Sequence, residues 1–144
     1  MLVRHILEEK GRDVIAISEA ATVSEAALLL AERRIGAVLV TNGPQLSGIF
    51  SERDLVRAIA KDGSSALAKG VSHYMTKQVA TCRETDTIEV LMEMMTMGRF
   101  RHVPVLDACE SLCGLISIGD VVKSRIAETV YEANSLREYI SATA

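Results

Sequence analysis

The chain repeats itself, and the repeat constrains its fold more than any other feature. Gly48-Ile49-Phe50-Ser51-Glu52-Arg53-Asp54-Leu55-Val56-Arg57 is answered by Gly114-Leu115-Ile116-Ser117-Ile118-Gly119-Asp120-Val121-Val122-Lys123. Glycine, two apolar residues, serine, aspartate, two apolar residues and a cation return in one order. The correspondence spreads outward. Val3-Arg4-His5 matches Val71-Ser72-His73, Thr22-Val23 matches Thr87-Ile88, and the segment from Arg34 to Val40 matches that from Arg99 to Val105. Fixed-period self-similarity marks a duplicated structural unit. At half of 144 residues, each copy is too short to count on a stable core of its own. The two halves are therefore expected to share one core and to build two related sites.

Composition narrows the function classes. The net charge of -3 and the absence of Trp give no basic or aromatic platform for nucleic acid. No apolar run is long enough to span a bilayer. Residues 2–10 are too short and too charged for a signal peptide, so a cytoplasmic protein is expected. Three cysteines, Cys82, Cys109 and Cys113, without a C-x-x-C pair argue for free structural thiols. The three scattered histidines offer no metal-binding spacing.

Periodicity predicts strand, helix, strand, strand, helix in each copy. In the first copy, residues 13–17 read as a strand, and Thr22-x-x-Glu25 as a helix start. Val23, Ala26, Ala27 and Leu30 carry the apolar face of that helix. A hairpin then turns at Asn42-Gly43-Pro44, and a helix runs from Ser51 to before Gly63. In the second copy the same plan places a strand at 79–82, a helix at 87–97, strands at 102–106 and 112–116, and a long helix from Ser117. Pro104 suggests an edge or an irregular ladder there. Residues 61–65 read as a turn or linker. The domain boundaries follow as 3–62, 71–130 and a C-terminal helix and tail at 131–144. Apolar residues nearly encircle the 87–97 helix, and Leu28-Leu29-Leu30 crowds the 22–34 helix. Both are expected to bury one face in their own core and another in a second subunit, unless the chain itself wraps them.

The repeated block admits two readings. Ser51 and Asp54 stand at a helix start, where free N–H groups and the dipole favour an anion. A carboxylate one turn in can accept both hydroxyls of a ribose, and Arg57 can reach a phosphate. Equally, Ser-x-x-Asp is a helix-capping pattern. Arg99, Arg101 and His102 form a second cationic cluster. They could meet phosphates, or Arg99 could pair with Glu93 or Glu110 while His102 sits in the core. His5 and His73 read as structural.

These segments, with Val71-x-x-x-Met75-Thr76 and Arg99-Phe100-Arg101-His102-Val103-Pro104-Val105, resemble tandem cystathionine β-synthase (CBS) domains, two of which form a Bateman module. The resemblance covers residues 3–127. It implies a mixed α/β fold of two βαββα repeats about a pseudo-two-fold axis. It implies no catalysis but adenine-nucleotide binding between the repeats: AMP, ADP, ATP, or alternatively NAD(H) or S-adenosylmethionine. By the same resemblance Asp54, Asp120, Ser51 and Ser117 would hold ribose. Arg57, Arg99, Arg101 and His102 would hold phosphate, and Val14, Ile15, Ala16, Ala80 and Thr81 would contact adenine. A homodimer of modules and an unidentified effector protein are implied as partners. The copies differ, since Gly36-Ala37 stands where the second has Arg101-His102, so two unequal sites are expected. A ligand-free dimerisation scaffold is the other reading. A small enzyme is disfavoured because no P-loop, dinucleotide fingerprint or nucleophile motif is present.

Overall fold

Each long helix after a strand starts where a side chain can satisfy its orphan N–H groups. In the computed structural model, which describes residues 1–143, Thr22 accepts from the Glu25 N–H at 3.2 Å and Thr87 from the Val90 N–H at 3.3 Å. They open α2 (Val23–Arg33) and α4 (Ile88–Gly98). Both helices end on an arginine in the left-handed region, Arg34 and Arg99, each at φ 54°. Strands β2 (Ala37–Asn42) and β3 (Gln45–Ser51) form the first hairpin, and β1 (Ala16–Ser18) lies parallel beside β2. Strands β4 (His102–Leu106) and β5 (Leu112–Ser117) form the second. Helices α3 (Glu52–Asp62) and α5 (Ile118–Thr143) follow the two hairpins. The predicted linker at 61–65 is the end of α3 and the start of a 3-10 helix at Gly63–Ala68.

The fold is mixed α/β, as the repeat predicted, with three differences. The first is α1 (Val3–Lys10), a helix where no element was expected. It is held at its start by His5, whose Nδ1 accepts from the Leu2 N–H at 3.1 Å. His73 has no matching role and lies exposed in a 3-10 turn.

The second difference is the strand predicted at 79–82, which shrinks to one bridge, Cys82 to Val105. Pro104 explains it. In the first repeat the Leu39 N–H donates to the Ile15 carbonyl at 3.2 Å, extending β1 backward. The matching donor in the second repeat would be Pro104, which has no N–H. Cys82 keeps its bonds to Pro104 and Leu106 at 3.0 and 2.9 Å, and pairing stops there.

The third difference concerns the core. Among the described residues there are two clusters, not one. The first gathers Val23, Leu30, Val38, Val40 and Phe50 around Val71. The second gathers Ile88, Leu91, Val103, Val105 and Ile116 around Val3, Ile6 and Leu7. Each repeat is thus completed by the lead-in segment of the other. Backbone bonds fix the exchange: Val71 N–H to Ala21 and Val23 N–H to Lys69 at 2.8 and 2.9 Å, Val3 N–H to Asp86 and Ile88 N–H to Met1 at 2.9 and 3.0 Å. Burying one such valine stabilises by about 1.5–3 kcal/mol. Each core therefore includes residues from both halves.

Among the described residues, no helix is long and apolar enough to cross a membrane. Cys82 is buried, and burial first, then Asp86 and Cys113, pushes its thiol up to about 12. Cys109 is exposed on the β4–β5 turn, so it is not the buried structural thiol expected.

Candidate functional site

The repeated glycines are needed for close approach. A Cβ on Gly48 would stand 2.6 Å from the Thr76 carbonyl oxygen, and one on Gly114 would stand 2.8 Å from a Leu7 methyl. Gly48 lets the connecting segment lie against β3, where Ile49 and Thr76 exchange N–H···O bonds of 3.0 and 2.9 Å. That pairing sets Thr76 beside the start of α3 and forms one wall of a cleft.

The cleft has a volume of about 610 Å³, within the range typical of small-ligand sites. Asp54, Arg57 and Ser51 line it from the first repeat; Ala80, Arg99, Arg101 and His102 line it from the second. The sequence reading missed Arg53, Thr76, Gln78 and Phe100, which also face it. Arg53 was legible as one turn before Arg57 on the same helix face. Thr76 lay in a quoted segment, but its place beside Asp54 depends on the Gly48 contact. Gly36 contributes space: its missing side chain would lie 3.8 Å from the His102 ring.

Asp54 does two things. With 4% of its surface exposed, it accepts from the Ser51 N–H at 2.9 Å and the Ser51 hydroxyl at 3.1 Å, and receives the Thr76 hydroxyl at 3.3 Å. Its own N–H donates to Ser51 Oγ at 3.2 Å, closing a capping box. The capping reading is therefore correct, and the carboxylate still lines the cleft. The expected cluster of free helix N–H groups is smaller. The Glu52 N–H is taken by the Gly36 carbonyl at 3.0 Å and the Asp54 N–H by Ser51. Positive charge in the cleft comes from side chains.

Asp120 has the same cap, with Ser117 N–H at 2.8 Å and hydroxyl at 3.0 Å. It does not line the large cleft. Lys10 of α1 reaches it, with Nζ 2.7 Å from Oδ2 and 2.9 Å from the Leu115 carbonyl. Burial pushes this carboxyl up, but Lys10 and the Ser117 bonds outweigh it and hold it below its ordinary range. Val14, Ile15 and Ala16 also lie outside the large cleft. Ile15 packs on the first core and its carbonyl is engaged by Leu39. Thr81 lines a separate pocket of about 260 Å³ with Gln45, Lys77 and Glu110.

Two backbone and ring groups complete the geometry. The Ala80 carbonyl, deprived of a donor by Pro104, receives no backbone N–H among the described residues. His102 is half-buried, and its pKa is lowered by burial first, then by Lys10 and Arg101 against the pull of Asp120 and Glu52. Arg99 forms no ion pair among the described residues, with Glu93 or with Glu110, and Glu110 is taken by Arg83.

Comparison with known proteins agrees with this architecture. The CBS domain pattern matches residues 3–61 and again 71–127. A mitochondrial CBS domain-containing protein of Arabidopsis thaliana, CBSX3, is 36% identical over 83% of this chain and 60% of its own length. The chain thus spans about three-fifths of that relative. A crystallised CBS-domain containing protein from Agrobacterium tumefaciens superposes with a TM-score of 0.83 at 48% identity, over 87% of this chain and 99% of its own. A CBS domain protein from Pyrobaculum aerophilum, solved in complex with AMP, superposes with a TM-score of 0.74 at 28% identity, over 83% of this chain and 89% of its own. With two matched repeats covering most of its length and the cross-completed cores between them, the chain belongs to the CBS domain family.

Proposed function

We propose that this chain is a non-catalytic, cytoplasmic regulatory module that binds an adenine nucleotide in the large cleft and signals through a homodimer. One observation carries the reading. A buried carboxylate, four arginines and Ala80, whose carbonyl receives no backbone N–H among the described residues, line one cavity. Asp54, with Ser51 behind it, holds the ribose hydroxyls. Hydrogen bonds to a charged acceptor contribute roughly 1.5–3 kcal/mol each. The Ala80 carbonyl accepts from the exocyclic amino group of adenine, and Arg57, Arg99, Arg101 and His102 take the phosphate end. The Pyrobaculum relative binds AMP, which supports the ligand class.

Ser117 and Asp120, with Val14–Ala16, are the counterpart site, and two contacts weaken it. Lys10 occupies the Asp120 carboxylate, and Leu39 occupies the Ile15 carbonyl. The chain therefore takes one nucleotide tightly. The homodimer reading rests on apolar side chains that this chain leaves uncovered on α2 and α4, among them Leu28 at 59% exposure and Met97 at 78%. A ligand has leverage only through its differential affinity for two states, and a dimer contact on these helices supplies a second state to bias.

The test is a thermal-shift panel of AMP, ADP, ATP, NADH and S-adenosylmethionine on the wild type and Asp54→Ala. Stabilisation by an adenine nucleotide that disappears in the variant supports the reading. No shift with any ligand removes it and leaves the dimerisation scaffold. A monomeric mass by light scattering removes the homodimer.

A further inference from the structure

The large cleft holds more guanidinium groups than a single phosphate can engage. Arg53, Arg57, Arg99 and Arg101 all line it, against the two carboxylates of Glu52 and Asp54. The chain as a whole is negative, so this concentration is local. None of the four arginines forms an ion pair among the described residues, whereas Arg12, Arg83 and Arg125 each find a glutamate. Asp54 accepts from Ser51 and Thr76 and pairs with none of the four among the described residues.

Their placement matters as much as their number. Arg53 and Arg57 stand four residues apart on α3, and like charges at that spacing destabilise a helix unless an anion bridges them. Arg99 and Arg101 flank Phe100 on the segment joining α4 to β4. The two pairs thus come from different repeats and face one cavity. A terminal phosphate presents three acceptor oxygens, and a guanidinium fork takes two of them. One phosphate saturates one or two forks. The remaining arginines line the same cavity with no ion-pair partner among the described residues.

We infer that the cleft is built for a polyphosphate chain, so that its ligand is a nucleoside triphosphate or diphosphate in preference to the monophosphate. The ligand's base and ribose rest on the adenine-nucleotide reading above. The preference for a longer phosphate chain rests on the arginines alone. The monophosphate engages the ribose carboxylate and part of the cluster; each added phosphate engages arginines that are otherwise idle.

Titration calorimetry of the full chain with AMP, ADP, ATP and inorganic tripolyphosphate tests this, in EDTA and again with Mg²⁺. The expected order in EDTA is ATP over ADP over AMP, with ATP at least about tenfold tighter than AMP. That ratio should shrink as salt rises, because charge–charge attraction is screened. The Arg53→Gln/Arg101→Gln variant should bring the ratio below about threefold. Both positions are exposed, and circular dichroism checks that the variant is folded. AMP binding as tightly as ATP overturns the inference and leaves the adenine-nucleotide reading standing, as does a ratio unchanged in the double variant. Tripolyphosphate binding without any nucleotide binding overturns the adenine reading and keeps the polyphosphate cleft. Binding of none of the four overturns both.

Discussion

The two aspartates provide a control for each other, and replacing each by asparagine separates capping from ligand binding. Asp54 and Asp120 have nearly superimposable caps: serine N–H at 2.9 and 2.8 Å, serine hydroxyl at 3.1 and 3.0 Å, and a return bond of 3.2 Å in both. Asparagine keeps one acceptor oxygen and turns the other into a donor, so each variant loses bonds to a charged acceptor. The stability cost should be about 1–3 kcal/mol in either case. Asp120→Asn also loses Lys10, a partly exposed ion pair that adds little. At roughly 2–4 °C per kcal/mol for a protein of this size, both melting temperatures should fall by several degrees. Nucleotide affinity should behave differently. Asp54→Asn gives up one of two charge-assisted ribose bonds and weakens the other, a loss of about 3 kcal/mol or roughly a hundredfold in Kd. Asp120→Asn should bind the nucleotide within about threefold of wild type. Urea unfolding and calorimetry on the same preparations measure both effects. Equal loss of binding in the two variants would show that the cap, not the cleft, governs affinity, and would refute the assignment of Asp54 to ribose.

Three further outcomes follow from the geometry. Gly48→Ala should cost more than Gly114→Ala, about 2–4 against about 1–3 kcal/mol, because Gly48 faces a backbone carbonyl that cannot yield and Gly114 a leucine side chain that can; equal midpoints in urea would contradict this. His102, held neutral by burial and its cationic neighbours, is protonated less readily folded than unfolded. Without ligand, stability should therefore fall as pH drops below about 6.5, while a bound phosphate raises the pKa and makes binding tighten over the same fall. Calorimetry in buffers of different ionisation enthalpy should detect proton uptake on binding, absent in His102→Gln; uptake of the same size in the variant would place the proton elsewhere. Pro104→Ala supplies the N–H that the Ala80 carbonyl lacks. It should lengthen the strand and reduce the preference for adenine over guanine nucleotides from roughly tenfold toward parity. A preference unchanged in that variant would mean that the carbonyl does not read the base.

The parts legible in the sequence were those fixed by local chemistry. Thr22 and Thr87 announced two helix starts, and the turn after Asn42 announced a hairpin, because capping and turn residues act within a few positions. The fold class followed from the periodicity within each copy and from the family resemblance. What could not be read locally was which half each lead-in segment serves. Val3 and Val71 look equivalent in sequence, and nothing near either one says that it packs under the opposite repeat. The Ala80 strand failed for a similar reason: its β-branched neighbours favour a strand, but its missing partner is Pro104, far along the chain. Arg57, Arg99, Arg101 and His102 were legible as cations; that they share one cleft with Arg53 depends on the fold.

The exchange of lead-in segments gives the two capping aspartates different surroundings. Each segment, after completing the opposite core, continues past the helix start that follows a hairpin. Residues 71–76 end with Thr76 bonded to Asp54, and residues 3–10 end with Lys10 bonded to Asp120. One position on each exchanged segment thus decides what its aspartate meets. A neutral hydroxyl at 3.3 Å leaves Asp54 without an ion pair among the described residues, as the proposed ribose contact requires. An ammonium at 2.7 Å compensates Asp120 within the chain. A duplicated fold with matching caps can therefore hold one carboxylate that is ion-paired within the chain and one that is not, with the choice made by segments that the repeat motif itself does not contain.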